Sequence, residues 1–151
     1  MGMDVYGTEP KNEKGEYFRN NVWWWHPLWS YCQENYPIIT SSVQNGHDNS
    51  GDGLGDADSI KLGIALKKDI ASGKTLAYEE KRKAYLASLP LEPCIWCKST
   101  GIRKDEYVDG LCTSCSGSGS VKSFETNYPF SSENLQEFAE FLINCGGFSI
   151  C

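Results

Sequence analysis

The sequence lacks the segments that direct a chain to or across a membrane. No run of apolar residues approaches the roughly 18 that are needed to span a bilayer. The first residues, MGMDVYGTEP, have neither the basic start and apolar run of a secretory signal nor the Ser or Thr of a myristoylation signal. We therefore expect a cytoplasmic protein with no membrane partner, whose cysteines stay reduced.

The sequence also lacks a surplus of positive charge. The net charge is −6, and residues 123–151 contain four acidic residues and no Lys or Arg. This balance excludes a uniformly basic nucleic-acid-binding protein. Residues 61–83 are the exception, with seven basic residues against three acidic ones. In this segment we identify Lys81, Arg82 and Lys83 as candidate binding residues for a protein or a nucleic acid.

Recognisable catalytic motifs are missing as well. The sequence has no nucleophile–base–orienter set and no glycine loop before a helix that would cradle a phosphate. One alternative is a metal-dependent hydrolase that uses His47, Asp48, Asp52 and Asp56 of the loop NGHDNSGDGLGDAD. This loop resembles the start of a calcium-binding EF-hand loop, but Ser59 stands where the bidentate glutamate belongs. We therefore favour a protein without catalytic activity.

The apolar content of 40% over 151 residues predicts one domain, residues 1–151, with a buried core. Caps, apolar periodicity and stop residues predict helices and short terminal strands. The expected elements are a strand over 3–7, helices over 27–35, 59–72, 76–89 and from Ser131 to Gly146, and a strand over 148–150. The second and third helices are expected to form a hairpin with its basic residues facing solvent. The predicted fold class is α+β, mainly helical with short strands.

Three consecutive tryptophans, Trp23, Trp24 and Trp25, lie in the segment NNVWWWHPLWSYC. In a helix their side chains spread over about 200°, and in a strand the middle one faces away from its neighbours. They therefore cannot all pack against one face of a core. Either the core surrounds all three, or part of the cluster is an exposed anchor for a partner, and we treat the three as candidate binding residues.

Two Cys-x-x-Cys motifs stand in the segment CIWCKSTGIRKDEYVDGLCTSCSGSGS. Cys94 and Cys97 form the first, and Cys112 and Cys115 form the second, with 14 residues between Cys97 and Cys112. Each motif directs two thiolates from one tight turn, and two motifs complete the tetrahedral four-thiolate site that zinc favours. We predict a structural zinc site in a hairpin over residues 91–122. A redox-active dithiol is the alternative.

The glycines around the second motif add a resemblance. Cys112-Thr-Ser-Cys115-Ser-Gly117-Ser-Gly119 matches the Cys-x-x-Cys-x-Gly-x-Gly repeat of DnaJ-type cysteine-rich domains. The first motif matches less well, because Ser99 stands in place of the first glycine. The resemblance covers about half the usual number of motifs. It implies an inserted zinc-ribbon-like β-hairpin and does not imply a chaperone.

Larger parts of the chain resemble a family of small hypothetical proteins from phages and bacteria. The stretches that carry this resemblance are MDVYG, GEYFRNNVWWW, PLW, the two Cys-x-x-Cys motifs, YPFSSENLQEFAEFL and CGGFSIC. The resemblance implies a phage setting and supplies no catalytic residues. We therefore predict a zinc-stabilised protein-binding factor that interferes with a host protein or a defence complex in the host cytoplasm. A nucleic-acid-binding zinc protein that uses residues 61–83 is the alternative.

Overall fold

The structure is a computed structural model that describes all of residues 1–151. The fold is α+β, as predicted, with five helices and small antiparallel sheets. The chain forms two compact units: the first contains Met1–Lys83 and Tyr128–Cys151, and the second contains Ala84–Asn127. The prediction of one domain over the whole chain stays a prediction. No helix has the length and apolar content that crossing a membrane requires.

The first unit contains a three-stranded antiparallel sheet with β1, Gly2–Gly7, at its centre. Its neighbours are β2, Tyr17–Asn21, and β7, Phe148–Ile150. Val5 is fully buried at the point where all three strands meet, because it pairs with Phe18 on one side and Ile150 on the other. The two terminal strands were predicted, whereas β2 was not.

Helix α1, Val22–Asn35, begins five residues earlier than predicted. The Asn21 side chain caps it by accepting the N–H of Trp24 at 3.1 Å. Pro27 consequently lies in the second turn instead of the first. The short helix α2, Pro37–Thr40, follows at once.

Helices α3, Asp56–Ala71, and α5, Ser132–Asn144, pack against each other in the core. Gly63 permits their close approach, since a Cβ at this position would lie 2.7 Å from Cγ1 of Ile143. The predicted hairpin of α3 with the next helix, α4, Lys74–Ser88, is therefore wrong: the apolar face of α3 is covered by α5. Most of α4 is exposed, and its one fully buried residue is Thr75.

A buried carboxylate on α3 binds a residue of α1 and the residue that links α1 to α2. Asp69 accepts hydrogen bonds from the hydroxyls of Tyr31 at 2.8 Å and Tyr36 at 2.7 Å, and Lys74 Nζ lies 3.7 Å away. Burial, and then the hydrogen bond to Asp69, raise the pKa of both tyrosines, so the hydroxyls remain donors. The buried charge is thus compensated by two donors and a cation.

The second unit contains four short strands arranged as two antiparallel pairs. Strand β3, Glu92–Pro93, pairs with β6, Ser120–Val121, and β4, Ile102–Lys104, pairs with β5, Asp109–Leu111. Its buried cluster consists of four cysteines, with the half-buried Val121 packed against them. A unit of this size with so little apolar burial needs another source of stability.

Candidate metal centre

The four predicted cysteines converge on one point of the second unit. The Sγ atoms of Cys94 and Cys112 are 3.8 Å apart, those of Cys97 and Cys115 are 3.7 Å apart, and all four lie within 4.8 Å of one another. A tetrahedral ion with metal–sulfur bonds of about 2.3 Å holds its ligands about 3.8 Å apart. The arrangement therefore fits a single tetrahedrally coordinated metal ion.

The two motifs repeat the same local structure 18 residues apart. The N–H of Cys94 donates to the carbonyl of Gly119 at 2.9 Å, and the N–H of Cys112 donates to the carbonyl of Gly101, also at 2.9 Å. Each motif thus anchors the start of the other, and the two turns face each other across the site. These reciprocal backbone hydrogen bonds form only when both motifs are folded, and they hold the two Cys-x-x-Cys turns next to each other.

Backbone amides stabilise negative charge on one sulfur of each motif. The N–H of Gly101 donates to Cys97 Sγ at 3.3 Å, and the N–H of Gly119 donates to Cys115 Sγ at 3.2 Å. Burial opposes ionisation and raises the pKa of Cys97 to about 11. Burial acts in the same direction on Cys115, but the Gly119 amide and the neighbouring thiols outweigh it and lower its pKa to about 6. Four thiolates this close need a cation to ionise together, so metal binding releases protons.

The glycines of the motifs are needed for their backbone shape. A Cβ at Gly101 would lie 2.3 Å from the carbonyl oxygen of Gly117, and one at Gly119 would lie 2.5 Å from that of Ser99. Ser99 has a φ of 65° where its counterpart Gly117 has 82°. The first motif therefore differs from the second by a serine held in a conformation that favours glycine.

All four cysteines are buried, and four protein ligands complete a tetrahedral shell. Such a site has no position at which a substrate or an activated water binds. These four ligands are accordingly suited to an ion that cross-links the two turns.

The three tryptophans occupy three different environments. Trp25 is fully buried; its indole N–H donates to the carbonyl of Gly46 at 2.7 Å, and its ring stacks on Trp29. Including Trp25 among the surface binding residues is therefore wrong, because it is part of the core. Trp23 is half-buried and contacts the ring of Tyr128, whereas Trp24 is 38% exposed. Only Trp24 of the three presents a large surface to solvent.

The three basic candidates of α4 differ in the same way. Both Nε and a terminal nitrogen of Arg82 donate to the carbonyl of Tyr128, at 3.2 and 3.0 Å. Lys83 lies 3.6 Å from Glu80 and 3.9 Å from Glu79. Lys81 is exposed and has no ion pair. Much of the charge that was predicted to face a partner is thus bonded within the protein.

The acidic loop does not assemble a group of ligands. The Asp52 carboxylate accepts the backbone N–H groups of Gln44 at 2.8 Å and Asn45 at 2.9 Å, so it closes its own loop. Asp56 forms an ion pair with Lys11 at 3.4 Å. The four cysteines are the one group of three or more potential ligands in the chain. His47 contacts His26, a partner that the sequence did not suggest.

The second unit also exposes apolar side chains that the sequence analysis did not single out. Eight of the fifteen exposed large hydrophobic residues lie within 84–127: Tyr85, Leu91, Ile95, Trp96, Ile102, Tyr107, Leu111 and Phe124. Ile95, Trp96 and Phe124 line one cavity of about 340 Å³ beside Cys94, and we call these three residues the knuckle surface. Ile95 and Trp96 are the two residues between the first pair of cysteines, so the Cys-x-x-Cys spacing is the signal that could have identified them.

Comparisons of the chain with protein-family models, curated proteins and solved structures give no match. The site itself is a buried group of four cysteines in a unit of short β-strands.

Proposed function

We propose that this is a non-catalytic binding protein, stabilised by zinc, that engages a protein partner through the knuckle surface. The observation that carries the proposal is the position of exposed apolar side chains on a turn that the metal site fixes. Ile95 is 79% exposed and Trp96 is 60% exposed, although they are flanked by cysteines that are 1% and 5% exposed. Exposed apolar patches of this kind are typical of interaction sites.

Zinc is the ion that best suits the donor set. Four thiolates at tetrahedral spacing are the ligands of structural zinc sites, whose binding free energy is also folding free energy. Zinc would hold the two turns together and so fix Ile95 and Trp96 in place before a partner arrives. A preformed surface loses less conformational entropy on binding.

Trp96 is further fixed by a neighbouring cation. The guanidinium carbon of Arg103 lies 4.9 Å from the centroid of the Trp96 ring, a cation–π contact. The opposite face of the ring can then contact a partner while the indole stays in one orientation. Tryptophan and isoleucine beside a recess supply the apolar centre of an interface, and Glu92 and Lys122, which line the same recess, supply charged groups next to it.

The class of the partner comes from the resemblance to phage proteins. A small phage protein without catalytic groups acts by binding, so we propose a host protein or a host defence complex as its target. The site of action would then be the host cytoplasm.

The test is capture of a bacterial partner by variants of the surface. The zinc-loaded protein is used to capture proteins from bacterial lysates, alongside the double variant Ile95→Ser, Trp96→Ser. We expect a stoichiometric complex with the unchanged protein and loss of that complex with the double variant, whose zinc content should be unaltered. Ile38→Ser is the matched control, because Ile38 is 88% exposed but belongs to the first unit. A complex that survives the double substitution, or no stoichiometric complex from any host, would contradict the proposal.

A further inference from the structure

The two histidines of the chain lie against each other in the first unit. His26 is on α1 and His47 is in the loop that follows α2, and their Nδ1 atoms are 2.9 Å apart. The other ring nitrogen of His47, Nε2, lies 3.1 Å from Oε1 of Gln33, which is also on α1. These contacts bring a loop residue to two residues that lie on one side of α1, seven positions apart.

The amide of Gln33 determines which nitrogen of His47 carries the proton. Oε1 accepts only, so Nε2 of His47 must donate, and a neutral His47 then has a bare lone pair on Nδ1. Nδ1 of His26 lies 2.9 Å from the nitrogen that carries this lone pair. In the metal-free protein, the proton of His26 Nδ1 occupies the space between the two nitrogens.

We propose that His26 and His47 form a second metal site, in which a divalent transition-metal ion displaces that proton and binds both Nδ1 atoms from one side of the line that joins them. Two nitrogens at about 2.05 Å from an ion and at right angles to each other are about 2.9 Å apart, whereas tetrahedral ligands would be about 3.3 Å apart. The observed spacing of 2.9 Å thus fits an ion with octahedral or square-planar geometry, such as Ni²⁺ or Cu²⁺.

Two further observations support this assignment. Gln33 provides the acceptor that ligating histidines usually have on their second nitrogen. His47 is exposed, so an ion can enter and keep water on its remaining positions.

The two centres would differ in chemistry. The four-cysteine centre is closed and selects a tetrahedral ion, whereas the histidine centre is open and binds through two neutral nitrogens. The affinity of the histidine site should rise from Co²⁺ to Ni²⁺ to Cu²⁺. Zn²⁺ should bind more weakly than Cu²⁺, and its preference for tetrahedral geometry should weaken it further. An ion there would tie the loop that contains His47 to α1.

The experiment titrates Ni²⁺ into zinc-loaded protein that has no affinity tag. Calorimetry should show one Ni²⁺ per chain, and His26→Ala or His47→Ala should each reduce the affinity by at least tenfold. Paramagnetic Ni²⁺ should broaden the imidazole NMR signals of both residues. The chain has only these two histidines, so a variant that lacks both removes every imidazole. Gln33→Ala should weaken binding less than loss of a ligand does, and Gln33→Glu should restore it.

Two measurements separate this site from the cysteine centre. Zinc release, followed with a chromogenic chelator, should remain absent during the titration. Thermal unfolding should show that each histidine variant is folded, and His47→Asn replaces His47→Ala if that variant is not. Equal Ni²⁺ binding in the protein without histidines, or no Ni²⁺ binding by the unchanged protein, would show that the pair is a hydrogen bond only.

Discussion

Replacing Trp25 and Trp24 by alanine should have very different effects on stability, although the two residues are adjacent. Trp25 is fully buried between Trp29 and Phe138, with ring centroids 5.8 and 5.4 Å away. Removing a buried tryptophan costs about 3–5 kcal/mol. The carbonyl of Gly46 would also lose its donor, which adds about 1–3 kcal/mol if it stays buried. Because small domains are stable by about 5–15 kcal/mol, Trp25→Ala should remove a large part of the free energy of unfolding.

Trp24 has no comparable role in the core. It is 38% exposed, so Trp24→Ala should change the free energy of unfolding by about 1 kcal/mol or less. Trp25→Phe separates ring packing from the hydrogen bond, since it keeps an aromatic ring and removes the indole N–H. Its expected cost is about 1–3 kcal/mol.

The assay is guanidinium unfolding of zinc-loaded protein, followed by far-UV circular dichroism because each substitution removes a fluorophore. Equal slopes against denaturant concentration are required before the free energies are compared. The reasoning would be refuted if Trp24→Ala destabilised the protein as much as Trp25→Ala, or if Trp25→Ala cost less than about 1 kcal/mol.

Three other predictions concern the metal centre and the histidines. Chelation of the metal should remove the protection of backbone amides against hydrogen exchange in the second unit, while the amides of the first unit stay protected. Hydrogen-exchange mass spectrometry measures this, and equal loss of protection in both units would contradict the prediction. Ser99→Gly should stabilise the metal-loaded second unit by about 1 kcal/mol, because glycine adopts a positive φ without strain. The counterpart Gly117→Ser should destabilise the unit for the same reason. Resistance of the bound metal to a chelator measures both effects, and a change in the same direction for both variants would refute the strain at Ser99. The folded-state pKa values of His26 and His47 are below the ordinary value, so their contribution to stability is complete above about pH 6.5 and is lost as the pH falls through the folded-state values. The melting temperature should therefore fall less between pH 7 and pH 5 when both are changed to Gln, and an equal fall in the two proteins would argue against the shift.

The cysteine centre was predictable because its signal is local. Each pair of ligands lies within one turn, so the spacing Cys-x-x-Cys fixes their geometry with little help from the rest of the fold. The last helix was predictable for the same reason: the Ser131 cap and the apolar spacing both lie within the segment. Both features follow from short-range rules.

The features that the sequence did not predict depend on contacts between distant residues. His26 and His47 are 21 residues apart, and neither has a partner at a recognisable spacing. The partner of α3 is α5 rather than the adjacent α4, because burial of the apolar faces decides the packing and not proximity in sequence. The burial of Trp25 depends in a similar way on where Gly46 returns to α1. Such contacts are set by the tertiary structure as a whole.

The bond from Arg82 to the carbonyl of Tyr128 joins the two places where the chain leaves and re-enters the first unit. Since the ends of the excursion are already neighbours, a short connector can replace everything between them without stretching the remaining scaffold. We therefore expect that the segment with the four cysteines can be deleted or exchanged while the tryptophan core of the first unit still folds.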